Sequence, residues 1–313
     1  MFGDGVLLAV LVVVVLPPTL VALLVWLVVR RPSDDGGGPA RAARRHELLV
    51  SSVAVVAAVV CAALLLAQPV VWPTWAPAPG LLQAVAPFSV ALVFCAVRAV
   101  GERTWPRPRG EVRSAPLARR TAGSLGGARL RGVLATAAAF AVVLVICGLT
   151  ADTSGRAFPT GPVTLPGGGV LTGTSGPYPG WPYGAAMLLG LGATVAATGV
   201  ALRAIVRRPP LHGVPAAHDD AVRATSAARL LGGVQLCLGV GLGATLAMSG
   251  NAVRSGGESL LLNGAPAHGL VAVGTVLTVA GLAVAAASVV VGLLAARPRT
   301  ARPVPAVATP AAA

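Results

Sequence analysis

The stretch His268–Ala296, HGLVAVGTVLTVAGLAVAAASVVVGLLAA, decides the fold class. It carries no acid, lysine or arginine, and Arg297-Pro298-Arg299 closes it. A helix crosses about 30 Å of hydrocarbon with about 20 apolar residues, and there every backbone N–H and C=O must be bonded within the segment. This run is longer than that, which predicts a helix that tilts or projects beyond the membrane. Within it Gly274, Thr278, Gly281, Ala285, Ser288 and Gly292 recur at spacings 4-3-4-3-4, one narrow face of small residues. Small faces let helix backbones approach closely where lipid removes any hydrophobic drive to associate.

Six more runs read the same way toward the N-terminus: Val6–Val29, Leu48–Val71, Leu81–Val100, Gly132–Ala151, Gly184–Leu202 and Leu230–Gly250. The expected fold class is all-α, an integral membrane bundle of seven transmembrane helices within residues 1–300. Residues 301–313 read as a disordered cytoplasmic tail. Pro17-Pro18 in the middle of the first run predicts a kink. That run does not read as a signal peptide: Asp4 precedes it, no basic residue does, and its apolar stretch is too long.

All 24 basic residues are arginines. Twenty-two fall in or beside one alternate set of connections, with Asp34, Asp35, Glu47, Glu102, Glu111, Asp219 and Asp220, for a net of +15. Arg156 and Arg254 fall in the other set, with Asp4, Asp152 and Glu258, for a net of −1. This is the positive-inside pattern, and it predicts the N-terminus outside and the C-terminus inside. The aromatic residues agree with that map. Trp26 and Trp105 flank inner ends, while Trp72, Trp75, Trp181, Tyr178 and Tyr183 flank outer ends, as amphipathic rings at an interface do. Ala, Val, Gly, Pro and Arg dominate, the residues of GC-rich codons. The expected setting is therefore the cytoplasmic membrane of a high-GC bacterium of the actinobacterial kind, as a multi-pass protein in contact with the lipid bilayer.

With 55% hydrophobic and 11% charged residues and a mean hydropathy of +0.81, the chain does not read as a soluble globular protein, which carries about 25% charge. A formal charge of +14 would ordinarily suggest nucleic acid. Here the arginines stand beside membrane spans, where anionic headgroups attract them, and no nucleic-acid motif accompanies them; no nucleic-acid partner is expected. Cys61, Cys95, Cys147 and Cys237 lie on four separate spans without CxxC spacing and read as small core residues.

Ionisable groups inside a span are costly and are functional candidates by default. No acid stands in the middle of a span, which counts against a proton-coupled transporter built on buried carboxylates. Arg98 and Glu102 stand at i,i+4 at the inner end of the third span, where Arg98 is expected to snorkel to the interface. Pro215 and the pair Asp219–Arg223 mark a helix start that runs into the sixth span. Seven helices with an outside N-terminus match the rhodopsin arrangement, but retinal needs a lysine and there is none. The histidines do not face each other for haem. Ser249 and His268 lack the surroundings of an intramembrane serine dyad, and His212, His218, Asp219 and Asp220 read as a polar helix start before a metal site. No catalytic, cofactor-binding or metal-binding residue is assigned.

Packing carries the clearer signal. Gly239 and Gly243 form a GxxxG in the sixth span and join the small face of the seventh as helix-packing candidates. Gln68, Gln83 and Gln235 are the notable uncharged polar groups, read as helix–helix glue or, less simply, as a neutral polar pathway. The outer connection Asp152–Tyr183, rich in glycine and proline, predicts an irregular loop tied down near Tyr178, Trp181 and Tyr183.

The stretch Gly176-Pro177-Tyr178-Pro179-Gly180-Trp181-Pro182-Tyr183-Gly184, with Val100-Gly101-Glu102-Arg103-Thr104-Trp105-Pro106, resembles a family of uncharacterised multi-pass membrane proteins of actinobacteria. The likeness covers most of the chain after about Leu48 and implies no particular activity. The function expected from these readings is that of an accessory or structural membrane subunit without catalytic activity or cofactor. Another membrane subunit or a second copy of the chain would be its partner. A small-molecule permease with a neutral polar pathway and an enzyme acting on lipid-linked substrates at the outer face, through Asp152 or His268, remain as alternatives.

Overall fold

The computed structural model describes residues 38–71, 80–105, 121–161, 163–164, 168–210 and 216–297. The expected span Val6–Val29 with its Pro17-Pro18 kink, Trp26, Trp72, Trp75, the side chain of Gln68 and the tail 301–313 lie outside the described residues. Six α-helices follow in order: α1 Gly38–Val71, α2 Leu81–Arg103, α3 Ala122–Thr150, α4 Trp181–Arg207, α5 Ala216–Leu262 and α6 His268–Ala296. All six are long and apolar enough to cross a membrane, so the chain is an all-α, multi-pass membrane protein in contact with lipid.

Helices α2, α3, α4 and α5 form the centre; α1 leans on α2, and α6 lies along α5. The core is filled by large side chains. Phe88, Phe140, Leu144, Leu202, Leu230 and Leu238 are at most 1% exposed. The Phe88 and Phe140 rings meet at 5.3 Å between centroids, an aromatic contact between α2 and α3. On the outside, α1 and α6 present Leu64, Leu66, Val276, Leu282 and Leu293 to the surroundings, as lipid-facing helices do.

Several boundaries differ from the sequence expectation. Helix α3 starts well before Gly132, because Thr121 and Ser124 form a reciprocal capping box whose two hydrogen bonds are each 3.2 Å. It bends at Gly127, where φ is 49° and ψ is −133°. Helix α5 is a single element of 47 residues that runs past Gly250 to Leu262. No proline intervenes there, and Arg254 and Glu258 pair at 2.9 Å one turn apart. It closes at Gly264, whose φ of 80° is in the left-handed region, where the Ala265 N–H donates back to the Leu260 carbonyl at 3.0 Å.

The connection after α3 is not wholly irregular. Strand β1, Phe158–Pro159, pairs antiparallel with β4, Thr174–Ser175, and β2, Val163–Thr164, with β3, Val170–Leu171. Glycine and proline shorten these ladders without preventing them. This small β-hairpin also touches the bundle, since the Thr160 methyl lies against Gly256 of α5.

Candidate functional site

The ends of four helices bring ionised side chains together in the protein interior. Arg98, on α2, is 1% exposed, and Glu47, on α1, is 4% exposed. Arg98 Nη1 donates to Glu47 Oε1 at 3.0 Å and to Ser51 Oγ at 2.7 Å, while its Nη2 donates to the Ser226 carbonyl of α5 at 3.1 Å. Glu47 Oε1 also accepts from Ser51 Oγ at 3.2 Å, and Oε2 accepts from Ser226 Oγ at 2.8 Å. Arg229 stands 3.6 Å from the same carboxylate. Both oxygens of Glu47 are thus engaged, and one carboxylate joins α1, α2 and α5.

A second layer surrounds this pair. Arg208, just past α4, stands 3.7 Å from Glu102, and its guanidinium carbon lies over Trp105 at 3.7 Å from the ring centroid. Trp105 meets His46 edge-on at 5.2 Å, and His46 Nε2 lies 3.0 Å from the Gly101 carbonyl. Burial pulls the Arg208 guanidinium below its ordinary value, and Glu102 works in the opposite direction. Arg223 donates through Nε to Asp219 at 2.8 Å, and through Nη1 to the Ile205 and Val206 carbonyls at 3.2 and 3.4 Å. It therefore caps the C-terminal end of α4, where unsatisfied carbonyls carry partial negative charge.

Two expectations are corrected here. Arg98 does not snorkel and does not bond to Glu102; it turns inward to Glu47, because a buried guanidinium needs a counter-charge and hydrogen-bond acceptors. Trp105 is buried at 4% exposure under Arg208 and is not an interfacial anchor. This end of the bundle therefore buries charge. The Asp219–Arg223 pair stands where its spacing placed it.

The packing candidates lie along the α5–α6 contact. A Cβ on Gly243 would sit 2.5 Å from the Gly281 carbonyl and 2.9 Å from Ala285, and one on Gly250 would sit 2.6 Å from the Gly274 carbonyl and 2.7 Å from Thr278 Oγ1. Gly239 faces Ser288, and Gly292 faces Leu236. Gly232 and Gly257, not singled out from the sequence, extend the same contact to Ala295 and Val271. Gln235 Nε2 donates to Thr136 Oγ1 at 2.8 Å, tying α5 to α3. Gln83 Oε1 is buried without a hydrogen-bond partner.

At the opposite end the candidates that the sequence reading places outside have local duties. Asp152 accepts from Ser154 Oγ at 2.8 Å and from the Arg156 and Ala157 backbone at 3.2 Å. These bonds, Ser154 foremost, hold its carboxyl below the usual range and commit it to a turn. Ser249 is 3% exposed and donates to the Thr245 carbonyl, whereas His268 is exposed at the start of α6. Tyr178 is buried, its hydroxyl 2.7 Å from Thr150 Oγ1. Trp181 lies over Gly148 and stays 44% exposed. Comparison with protein-family models, curated proteins and solved structures returns no match, so what the chain resembles adds nothing to the geometry.

Proposed function

We propose that this chain is a non-catalytic accessory or structural subunit of a bacterial cytoplasmic membrane, of the actinobacterial kind that its sequence resembles. In this reading Val6–Val29 is a seventh span, the N-terminus is outside, and the arginine-rich end faces the cytoplasm. The observation that supports the role is the filled centre. Between α2, α3, α4 and α5, Phe88, Phe140, Leu144, Leu202 and Leu238 occupy the place where a transporter needs a polar route. The buried charges at one end are bonded to one another and hold helices together.

Two measurements test the reading. Purification in a mild detergent should retain a membrane partner, or a second copy, at a fixed ratio. A monomer that catalyses solute exchange in sealed proteoliposomes would overturn it. Reporter fusions at Gly37, Gly126 and Ala312 should read cytoplasmic and one at Gly168 external. An external signal at Gly126 would overturn the orientation without touching the role.

A further inference from the structure

A groove of about 340 Å³ opens beside the ionic cluster, between α1 and α6 and over one face of α5. That is within the range of ligand pockets, about 300–1,000 Å³. Its walls include Val55, Leu236, Val289 and Leu293, each more than one-third exposed. These side chains belong to helices long and apolar enough to cross a membrane, where exposed apolar walls suit contact with lipid chains. Gly232 and Gly233 keep its floor low.

One end of this apolar groove is charged. Arg229 lines it, its side chain 16% exposed, with Ser51 beside it. Among the described residues the charge there is not balanced. Arg98 and Arg229 share the single carboxylate of Glu47, and Arg98, at 3.0 Å and enclosed, is the closer of the two. Among the described residues with ion pairs in the cluster, Arg98, Arg208, Arg223 and Arg229 face Glu47, Glu102 and Asp219, four cations against three anions. The surplus positive charge lies at the guanidinium that reaches the groove.

We propose that the groove holds an acyl chain of an anionic phospholipid, with the headgroup phosphate on Arg229. The apolar walls select a chain, and the guanidinium at the end selects a negative headgroup. A soluble anion would leave the walls uncovered, and a zwitterionic lipid would bring a cation of its own beside its phosphate and so leave the net charge uncompensated. The proposal rests on the membrane setting of the helices and not on the accessory role, so either can fail alone.

The test uses the full-length protein in nanodiscs of phosphatidylglycerol and phosphatidylcholine with identical acyl chains, released into native mass spectrometry. Phosphatidylglycerol should be retained about fivefold over phosphatidylcholine, the effect of one arginine near a membrane surface. Arg229→Gln should abolish that preference while the protein stays folded, because Glu47 keeps Arg98, Ser51 and Ser226. Val289→Trp, which fills the groove from its exposed wall, should reduce retention of both lipids. A benzophenone side chain at Val289 should capture lipid. Equal retention of the two lipids by the parent, or a preference that survives Arg229→Gln, would overturn the proposal. Complete displacement by inorganic phosphate, or capture at Val289 of this chain's own Val6–Val29, a second copy or another protein, would overturn it as well.

Discussion

Replacing Glu47 by glutamine removes one charge and almost nothing else. Glutamine keeps the shape of the side chain and an oxygen to accept from Arg98 and Ser51. Its amide donates where Oε2 accepted, and the Ser226 hydroxyl adapts by giving its proton to the Val222 carbonyl, already 3.2 Å away. What disappears is the counter-charge of Arg98, a side chain 1% exposed. Leaving a buried ion without its partner costs about 3–5 kcal/mol, whereas replacing both partners by apolar groups of similar volume is close to neutral. Glu47→Gln should therefore lower stability by about 3–5 kcal/mol, Arg98→Met by less because Arg229 stays 3.6 Å from the carboxylate, and Glu47→Leu with Arg98→Met should cost much less than the sum of the two. Equilibrium unfolding in mixed micelles, titrated with dodecyl sulfate, measures all of these. The reasoning is refuted if Glu47→Gln lies within about 1 kcal/mol of the parent, or if the paired replacement costs the full sum.

At the α5–α6 seam, Gly281→Leu should cost about 1–3 kcal/mol or prevent assembly, because a Cβ there meets the Gly243 carbonyl at 2.5 Å. Val279→Leu, at a position 60% exposed, should stay within about 0.5 kcal/mol, and equal tolerance in a detergent-stability assay would remove the packing claim. Gly256→Leu should displace Thr160 and speed proteolysis between Asp152 and Gly180, while removal of the β2–β3 tip should leave the bundle monodisperse. Burial pushes the Tyr178 phenol up to about 12, so its neutral form is favoured in the folded protein. The sign follows: this contribution to stability is whole below about pH 10 and is lost as pH rises from there toward 12. Tyr178→Phe should flatten the alkaline limb of the unfolding curve, and an unchanged limb would assign it to other groups.

The helical spans were legible because a chain in hydrocarbon must bond its own backbone, and that demand writes long apolar runs into the sequence. Their ends were less so. Hydropathy falls off at Gly250, yet α5 continues, since polar residues with helical pairs such as Arg254–Glu258 extend a helix into water as readily as they end one. The ionic cluster was hidden for a different reason. The i,i+4 spacing offered Glu102 to Arg98, but the partner it uses stands 51 residues away on another helix. A single sequence shows that an arginine sits near a span end and does not show whether it points to water or inward. A sharper reading of α5 was available: Gly243, Gly250 and Gly257 stand seven apart, as do Gly232 and Gly239, a period that keeps one face against a neighbouring helix.

The continuity of α5 sets the angular phase between the two ends of the molecule. Arg223 at the charged end and Gly256 under the β-hairpin share one unbroken helix, about 50 Å apart at 1.5 Å per residue. No proline or loop interrupts the helix between them. One inserted residue would turn the hairpin by about 100° about the helix axis relative to the charged end and shift it by only about 1.5 Å. It would also carry the glycine face away from α6. Seven inserted residues would restore the direction to within about 20°. Helix α5 thus acts as a keyed shaft, tolerant of substitutions along its lipid-facing side and intolerant of any insertion that is not close to a whole number of turns.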